Sequence, residues 1–356
     1  MLAQLEENPH QLLRQLRETD PVYWAPELNA WLVTRYGLAV EVLKDSASFT
    51  VDDPRFTTAR VTGPSMLSLD GPVHARHRNA FARSLRPEAL RRDFIGAEVS
   101  RLIEGIRPFG RTELRRDFAG PLAAAVMGDL LALDQPAGMI LAWYDEIVRV
   151  VANLTGSTET GAYHTTSFRI LAENIARAVR DGKSALLADA AQTLGTDEIV
   201  SNAAVLLFGG IETTEGMISN AILHTLTHGR LAVEESLRLE PAAAMVDRYA
   251  TRDVTLGGTP IRRGDQVTVS ITGANRDPAL FDDPDVYDPS RVNAGKHLAF
   301  AHGPHFCVGA HLARLETELA AAAIIELPGL RLSGHAVPRG VVFRKPPQLH
   351  VTWEVT

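Results

Sequence analysis

A single cysteine, Cys307, stands in the loop Phe300-Ala301-His302-Gly303-Pro304-His305-Phe306-Cys307-Val308-Gly309, directly ahead of a stretch with helical spacing. Gly303 and Gly309 allow tight turns and left-handed backbone, so the chain can curl round the sulfur and aim N–H groups at it. The positive end of a following helix favours a thiolate over a thiol. Three chemistries are open to such a residue. It can be an inert buried thiol, the usual fate of a lone cysteine. It can be a nucleophile activated by His302 or His305. It can also be the soft thiolate ligand of a haem iron.

Composition narrows the setting for that loop. With 356 residues, 45% of them hydrophobic, the chain can bury a large core and is not disordered. One cysteine excludes an internal disulfide framework and every multi-cysteine zinc or iron–sulfur site. The longest apolar runs, around 203–211 and 319–325, fall short of the roughly 18 residues a membrane span needs. No secretory signal is visible in a start that carries Glu6 and Glu7, so a reducing, cytoplasmic setting is expected. A net charge of −7 argues against a general nucleic-acid binder. The basic residues are almost all arginine, and six of them (Arg76, Arg78, Arg83, Arg86, Arg91, Arg92) crowd between His74 and Arg92 against one acid, Glu88.

The elements that must position the loop are mostly helical. Apolar spacing predicts helices over 9–17, 38–43, 85–106, 121–133, 139–154 and 168–191. A long apolar helix is expected from an N-cap at Thr196 or Asp197 to about Thr227, followed by a short one over 231–239 ended by Pro241. Strands are expected at 31–34, 253–258, 261–270, 341–343 and 349–354, and a last helix over 310–326. The expectation is a mainly α protein with small β-sheets (α+β), folded as one domain over 1–356.

The pattern Phe-x-x-Gly-x-His-x-Cys-x-Gly strongly resembles the haem-binding loop of the cytochrome P-450 family. Three further segments, in the family's order, support the resemblance. Inside the long helix, Gly209-Gly210-Ile211-Glu212-Thr213-Thr214 spends two glycines, each costing about 0.5–1 kcal/mol relative to Ala. The resemblance implies that this helix crosses a haem face, where Gly209 and Gly210 leave room for dioxygen. Thr213 can bond the Gly209 carbonyl four residues back and open a local bulge, and Glu212 supplies a carboxylate for proton delivery. Glu235-Ser-Leu-Arg238 with Arg291 matches the family's Glu–Arg–Arg cluster, a structural brace. His74 and Arg78, i and i+4 on one face, match the helix that holds the haem propionates, and Arg248 and His305 match two more propionate contacts.

What the resemblance implies is a haem-thiolate monooxygenase with haem b between the long helix and the cysteine loop. Cys307 would be the iron ligand, Phe300, Gly303 and Gly309 would shape its loop, and Thr213 and Glu212 would serve catalysis. One cysteine cannot hold an iron–sulfur cluster, so electrons are expected from a separate ferredoxin and its reductase unless peroxide substitutes; the alternatives are a non-hydroxylating oxidation such as coupling or desaturation, or a non-catalytic haem-binding protein. Arg83, Arg86, Arg91 and Arg92 would flank the landing site of such an acidic donor. The substrate is expected to be a small, largely apolar molecule, walled by 61–66, 139–166, 205–208 and 242–246, and the protein to be a monomer. Three departures stand out: Ala301 replaces a usual Gly, and the passages 226–234 and 183–197 are short.

Overall fold

The helix Thr196–His228 is the spine of the molecule, and its buried residues fall on every face, as they must in a helix packed all round. Against it lie Gly120–Leu130, Thr166–Asp181 and Ala310–Ile325, sharing one apolar core with Leu122, Leu171, Leu207, Ile218 and Ala321. The computed structural model describes residues 1–154 and 165–355. Residues 155–164, part of the pocket wall expected over 139–166, lie outside the described residues. Among the described residues, no helix is long and apolar enough to cross a membrane.

The spine starts at Gly195, one residue before the expected cap. Gly195 N–H donates to Glu198 Oε2 at 2.9 Å, so the acid three residues on closes the first turn. Gly229, at φ 80°, ends it, and only four residues separate it from the helix Val233–Leu239. The bulge expected at Thr213 does not form, and the helix runs unbroken. Thr213 Oγ1 does donate to Gly209 O at 2.6 Å. A carbonyl has two lone pairs, so it accepts this bond and stays in the helix.

Two expected helices are divided. The stretch 168–191 is Thr166–Asp181 and Ala185–Ala190, because Gly182 turns left-handed at φ 63° and Ser184 caps the second piece. The stretch 85–106 becomes helical only at Arg92, after short 3₁₀ turns at Arg83–Leu85 and Pro87–Ala89, where proline interrupts the pattern.

The largest sheet has five strands in the order Val22–Ala25, Ala30–Val33, Gln266–Ser270, Met245–Ala250, Phe49–Thr50. All neighbours are antiparallel except Ala30–Val33 with Gln266–Ser270. Val22–Ala25 and Met245–Ala250 were not expected as strands, and the latter carries Arg248 on its buried side. A second sheet joins Arg111–Glu113, His350–Thr352 and Arg331–Leu332. The strand expected at 341–343 reduces to one bridge between Phe343 and Ala243, because 339–345 folds back on itself through paired backbone bonds of Arg339 and Lys345.

Candidate active site

The cysteine loop is built by close approach and left-handed backbone. Gly303 has φ 71°, and a Cβ there would lie 2.5 Å from Leu43 O, so only glycine lets the loop rest on the end of the helix Tyr36–Lys44. Ala301 also sits at φ 57°, which explains why glycine is usual at that place. Gly309 differs from the expectation: it has φ −91°, is not left-handed, and stands as the N-cap of Ala310–Ile325. Cys307 N–H donates to Phe300 O at 2.9 Å, tying the two ends of the loop together. Phe300 is buried, with the Arg314 guanidinium 4.3 Å above its ring.

Cys307 is exposed by area, yet protein surrounds the sulfur closely enough that burial pushes its thiol up. A hydrogen bond from the Gly309 N–H and the charges of Arg78 and Arg314 pull the other way. The expected aim of N–H and positive charge at the sulfur is present, and the remaining burial cost is what a bound metal removes by taking the thiolate directly.

Beside the sulfur, four cationic or imidazole groups converge. The rings of His74 and His305 lie 4.2 Å apart. His305 Nε2 donates to Asp70 Oδ1 at 2.8 Å. Burial raises the Asp70 carboxyl, but the bonds from His305, Thr50 and the Val51 N–H outweigh it and hold it low. His74 is pushed down to about 4 by burial, then by His305 and Arg78, and its Nε2 is buried with no partner. Arg248 is pushed down to about 10 by burial, against the pull of Asp70 and Asp247, and its one side-chain bond goes to the neighbouring Asp247 carbonyl at 2.7 Å. Arg78 is lowered by burial, and among the described residues Cys307 is the charge that raises it.

On the spine helix, the two glycines have different jobs. A Cβ at Gly209 would meet nothing within 4 Å, whereas one at Gly210 would run into the Met127 side chain. Gly209 therefore borders open space, and Gly210 lets Gly120–Leu130 pack close. Thr213 is half-buried between the buried Glu212 and Thr214. Met217, one turn beyond Thr213, shares a packing cluster with Phe300 and Ala310 on either side of the cysteine, which brings the spine to the loop.

Glu212 is not solvated. Lys345 Nζ lies 2.8 Å from Glu212 Oε1 and 2.9 Å from Glu215 Oε2, and Arg115 Nε binds the other Glu215 oxygen. Sequence reasoning missed Lys345, Glu215 and Arg115. Lys345 comes from a segment about 130 residues away, and no local pattern announces such a pairing. It also missed Asn202, whose Oδ1 accepts from the Met66 N–H at 2.8 Å and fixes the 61–66 segment against the spine. The bracing cluster is complete: Arg238 bonds both Glu235 oxygens at 2.7 Å, and Arg291 Nε adds a third bond at 3.1 Å. Of the surface arginines, Arg91 is engaged by Asp129 and lies over Phe94, and Arg76 is engaged by Glu198, so neither is an uncommitted charge.

Helix spine, cysteine loop and clustered cations together define a haem-thiolate protein, and comparison with known proteins agrees. Residues 230–327 match the family model described as Cytochrome P450. The chain is 30% identical to the biotin biosynthesis cytochrome P450 of Bacillus subtilis, over 92% of this chain and 91% of that one. It is 31% identical to the mycinamicin IV hydroxylase/epoxidase of Micromonospora griseorubida, over 95% of this chain and 94% of that one. Its fold superposes on the crystal structure of P450BioI in complex with hexadec-9Z-enoic acid ligated acyl carrier protein, with a TM-score of 0.88, 27% identity and 99% of both chains covered. The chain belongs to the cytochrome P450 family and is a haem b monooxygenase acting on a small molecule with redox partners.

The residues present fit haem b. Its iron needs one thiolate and its two propionates need cationic partners. The unpartnered His74 Nε2, the single weakly satisfied Arg248 and the desolvated Arg78 lie together beside the Cys307 sulfur. Two carboxylates placed there would partner donors that the protein itself leaves short of acceptors.

Proposed function

We propose that this monooxygenase oxidises a small, largely apolar organic molecule of bacterial secondary metabolism or catabolism, with electrons from a separate ferredoxin and reductase. The observation that carries the reading is the pairing of Gly209, bordering open space, with the Thr213 hydroxyl bonded to its carbonyl, on a helix packed against the cysteine loop. We assign the protein to the cytoplasm as a monomeric, single-domain chain.

Bound through Cys307, haem b supplies the redox chemistry that inserts one oxygen atom. The chain does the rest. His74, Arg78, Arg248 and His305 bind and orient its carboxylates, and the Gly309 N–H holds the sulfur. Thr213 Oγ1 presents a hydroxyl proton beside Gly209, and Glu212, once its carboxylate has taken a proton from solvent, passes that proton on to the threonine. Apolar walls orient the substrate and exclude water. Phe208, 5.8 Å from the Phe343 ring and 6.3 Å from that of Tyr144, with Val61, Met66 and Ala242, supplies candidates for that wall. Their character supports an apolar substrate. The relatives named for biotin biosynthesis and mycinamicin IV, and the solved structure with a fatty-acid-ligated acyl carrier protein, widen the search rather than choose within it.

The test is a ligand screen read as a Soret shift, followed by turnover of the best ligand with surrogate ferredoxin and reductase. Thr213→Ala should keep NAD(P)H consumption while most electrons end as peroxide. Unchanged product per NAD(P)H would remove Thr213 from proton delivery.

A further inference from the structure

The four side chains Arg115, Glu215, Lys345 and Glu212 form a chain of alternating charge that ends one residue from Thr213. Every link is a direct contact: Arg115 Nε on Glu215 Oε1, Lys345 Nζ on Glu215 Oε2 at 2.9 Å, and Lys345 Nζ on Glu212 Oε1 at 2.8 Å. Arg115 Nη1 also donates to Pro347 O at 2.6 Å, fixing the segment that carries the lysine. Both glutamates are buried and Lys345 nearly so.

The sequence is arranged to bring this lysine in. Glu212, Glu215 and Gly216 are spaced i, i+3, i+4 and share one face of the spine. A Cβ at Gly216 would lie 2.9 Å from the Ala242 Cβ, so glycine there lets the 242 segment pack close, and the Lys345 Cβ lies at ordinary contact distance, 3.6 Å, beside it. The identity of the cation also matters. Only four of the 36 basic residues are lysine, at 44, 183, 296 and 345. An ammonium presents three donors around a point, whereas a guanidinium is a planar fork that can pair with the same carboxylates but holds them more rigidly. A point donor can serve two carboxylates and let one go.

We infer that Lys345 is the positioning residue for Glu212: it holds that carboxylate by one ion pair, while Glu215, hydrogen-bonded to the same lysine and backed by Arg115, keeps it neutralised whenever Glu212 turns away. A buried ammonium left alone would make release of Glu212 costly. With Glu215 in place, release exchanges one partner of a shared cation and strands no charge. The inference rests on the reading of Glu212 as the proton source for Thr213, and it adds what makes that carboxylate both held and free to move.

The test uses the haem-loaded chain and infrared difference spectra of the resting protein, in which Glu212→Gln identifies the carboxylate band of Glu212. In Lys345→Met that band should move to the position of an unpaired carboxylate or be lost, and Lys345→Arg should restore a paired band. Haem absorbance serves as the control for folding. A Lys345→Met band identical to wild type overturns the inference. So does a Lys345→Arg band that stays as displaced as that of Lys345→Met, since the effect would then be one of packing. In turnover with the screened ligand, Lys345→Met should lose about tenfold in product per peroxide released, because the Glu212 carboxylate loses its ion-pair partner. If Glu212→Gln turns over like wild type, the relay itself falls and the lysine loses its purpose. If Glu212→Gln uncouples while Lys345→Met does not, the relay stands and the positioning role alone is overturned.

Discussion

Two arginine clusters in this protein are equally buried and opposite in state. Around Glu235, Arg238 and Arg291 satisfy one carboxylate and spend their remaining donors on the carbonyls of Asn275, Pro284 and Asp282. Around Cys307, Arg248, Arg78 and His74 share a region whose carboxylates are already engaged, Asp70 by His305, Thr50 and Val51, and Asp247 by Thr268. The first cluster is complete as the chain folds. The second has donors in excess of acceptors. Burying charge without partners is too costly to be incidental, so the shortfall marks where an anionic group belongs.

The largest way to break this comparison is at the complete cluster. Arg238→Met leaves the buried Glu235 carboxylate with Arg291 as its remaining side-chain partner and should cost about 3–5 kcal/mol. Thermal unfolding and soluble yield measure it, with or without haem. A midpoint unchanged from wild type would show that the cluster does not brace the fold.

The next test separates the clusters by pH. His74 and His224 are both pushed down to about 4 by burial, but His224 Nδ1 has Ser236 Oγ at 2.8 Å while His74 Nε2 has nothing. A histidine whose folded pKa lies below its unfolded value of 6.5 is neutral in the fold and protonated in the unfolded chain. Between pH 6.5 and 4 the unfolded state therefore binds more protons, and stability falls as pH falls. Each residue should contribute a loss of roughly 3 kcal/mol across that window and none above it. Haem propionates beside His74 should abolish its share and leave that of His224 intact. Unfolding midpoints against pH, for haem-free and haem-loaded chains with His74→Gln and His224→Gln, decide it. A His74 contribution that is the same with and without haem would detach His74 from the propionates.

At the incomplete cluster the expected effect is smaller and splits in sign. Arg248→Met removes a desolvated charge, so the haem-free chain should gain about 1 kcal/mol, as apolar replacements of buried charge often do. The haem-loaded chain should lose haem to a scavenging apoprotein about tenfold faster or more, the value of a hydrogen bond to a charged group. Loss of stability in both forms would place Arg248 with Arg238, as a brace.

How much of this was legible in the sequence follows the same division. Cys307, His74, Arg78, Arg248 and His305 stand out in the sequence through their resemblance to short family motifs, and the fold places them near one another, which is what their proposed roles require. The Thr213 bond to Gly209 was readable because four residues is one helical turn. Lys345 was not: its pairing depends on how the 339–347 segment crosses the spine, and no periodicity carries that. No bulge opens at Thr213, because the hydroxyl bonds a carbonyl that still has a lone pair for the helix. The split of 168–191 turned on one glycine conformation, which apolar spacing does not encode. Gly209 and Gly210 looked alike as letters, and only the packing of Met127 distinguishes them.

Ala301 and Gly303 offer the finest test of whether the cysteine loop stores strain that the bracing cluster lacks. Both take left-handed backbone, at φ 57° and φ 71°. An alanine there costs about 1–2 kcal/mol in the fold, and part of that is offset because glycine would have more freedom to lose from the unfolded chain. Ala301→Gly should therefore stabilise by about 0.5–1 kcal/mol, read as a small rise in the unfolding midpoint. Gly303→Ala should do the opposite and more strongly, because a Cβ 2.5 Å from Leu43 O must push the loop away from the helix Tyr36–Lys44. That displacement would also move the sulfur, so the Soret band of the reduced carbonyl complex should change in Gly303→Ala and hold in Ala301→Gly. If Ala301→Gly destabilises instead, the alanine methyl packs well enough to outweigh its backbone, and the loop is relaxed where it departs from the family.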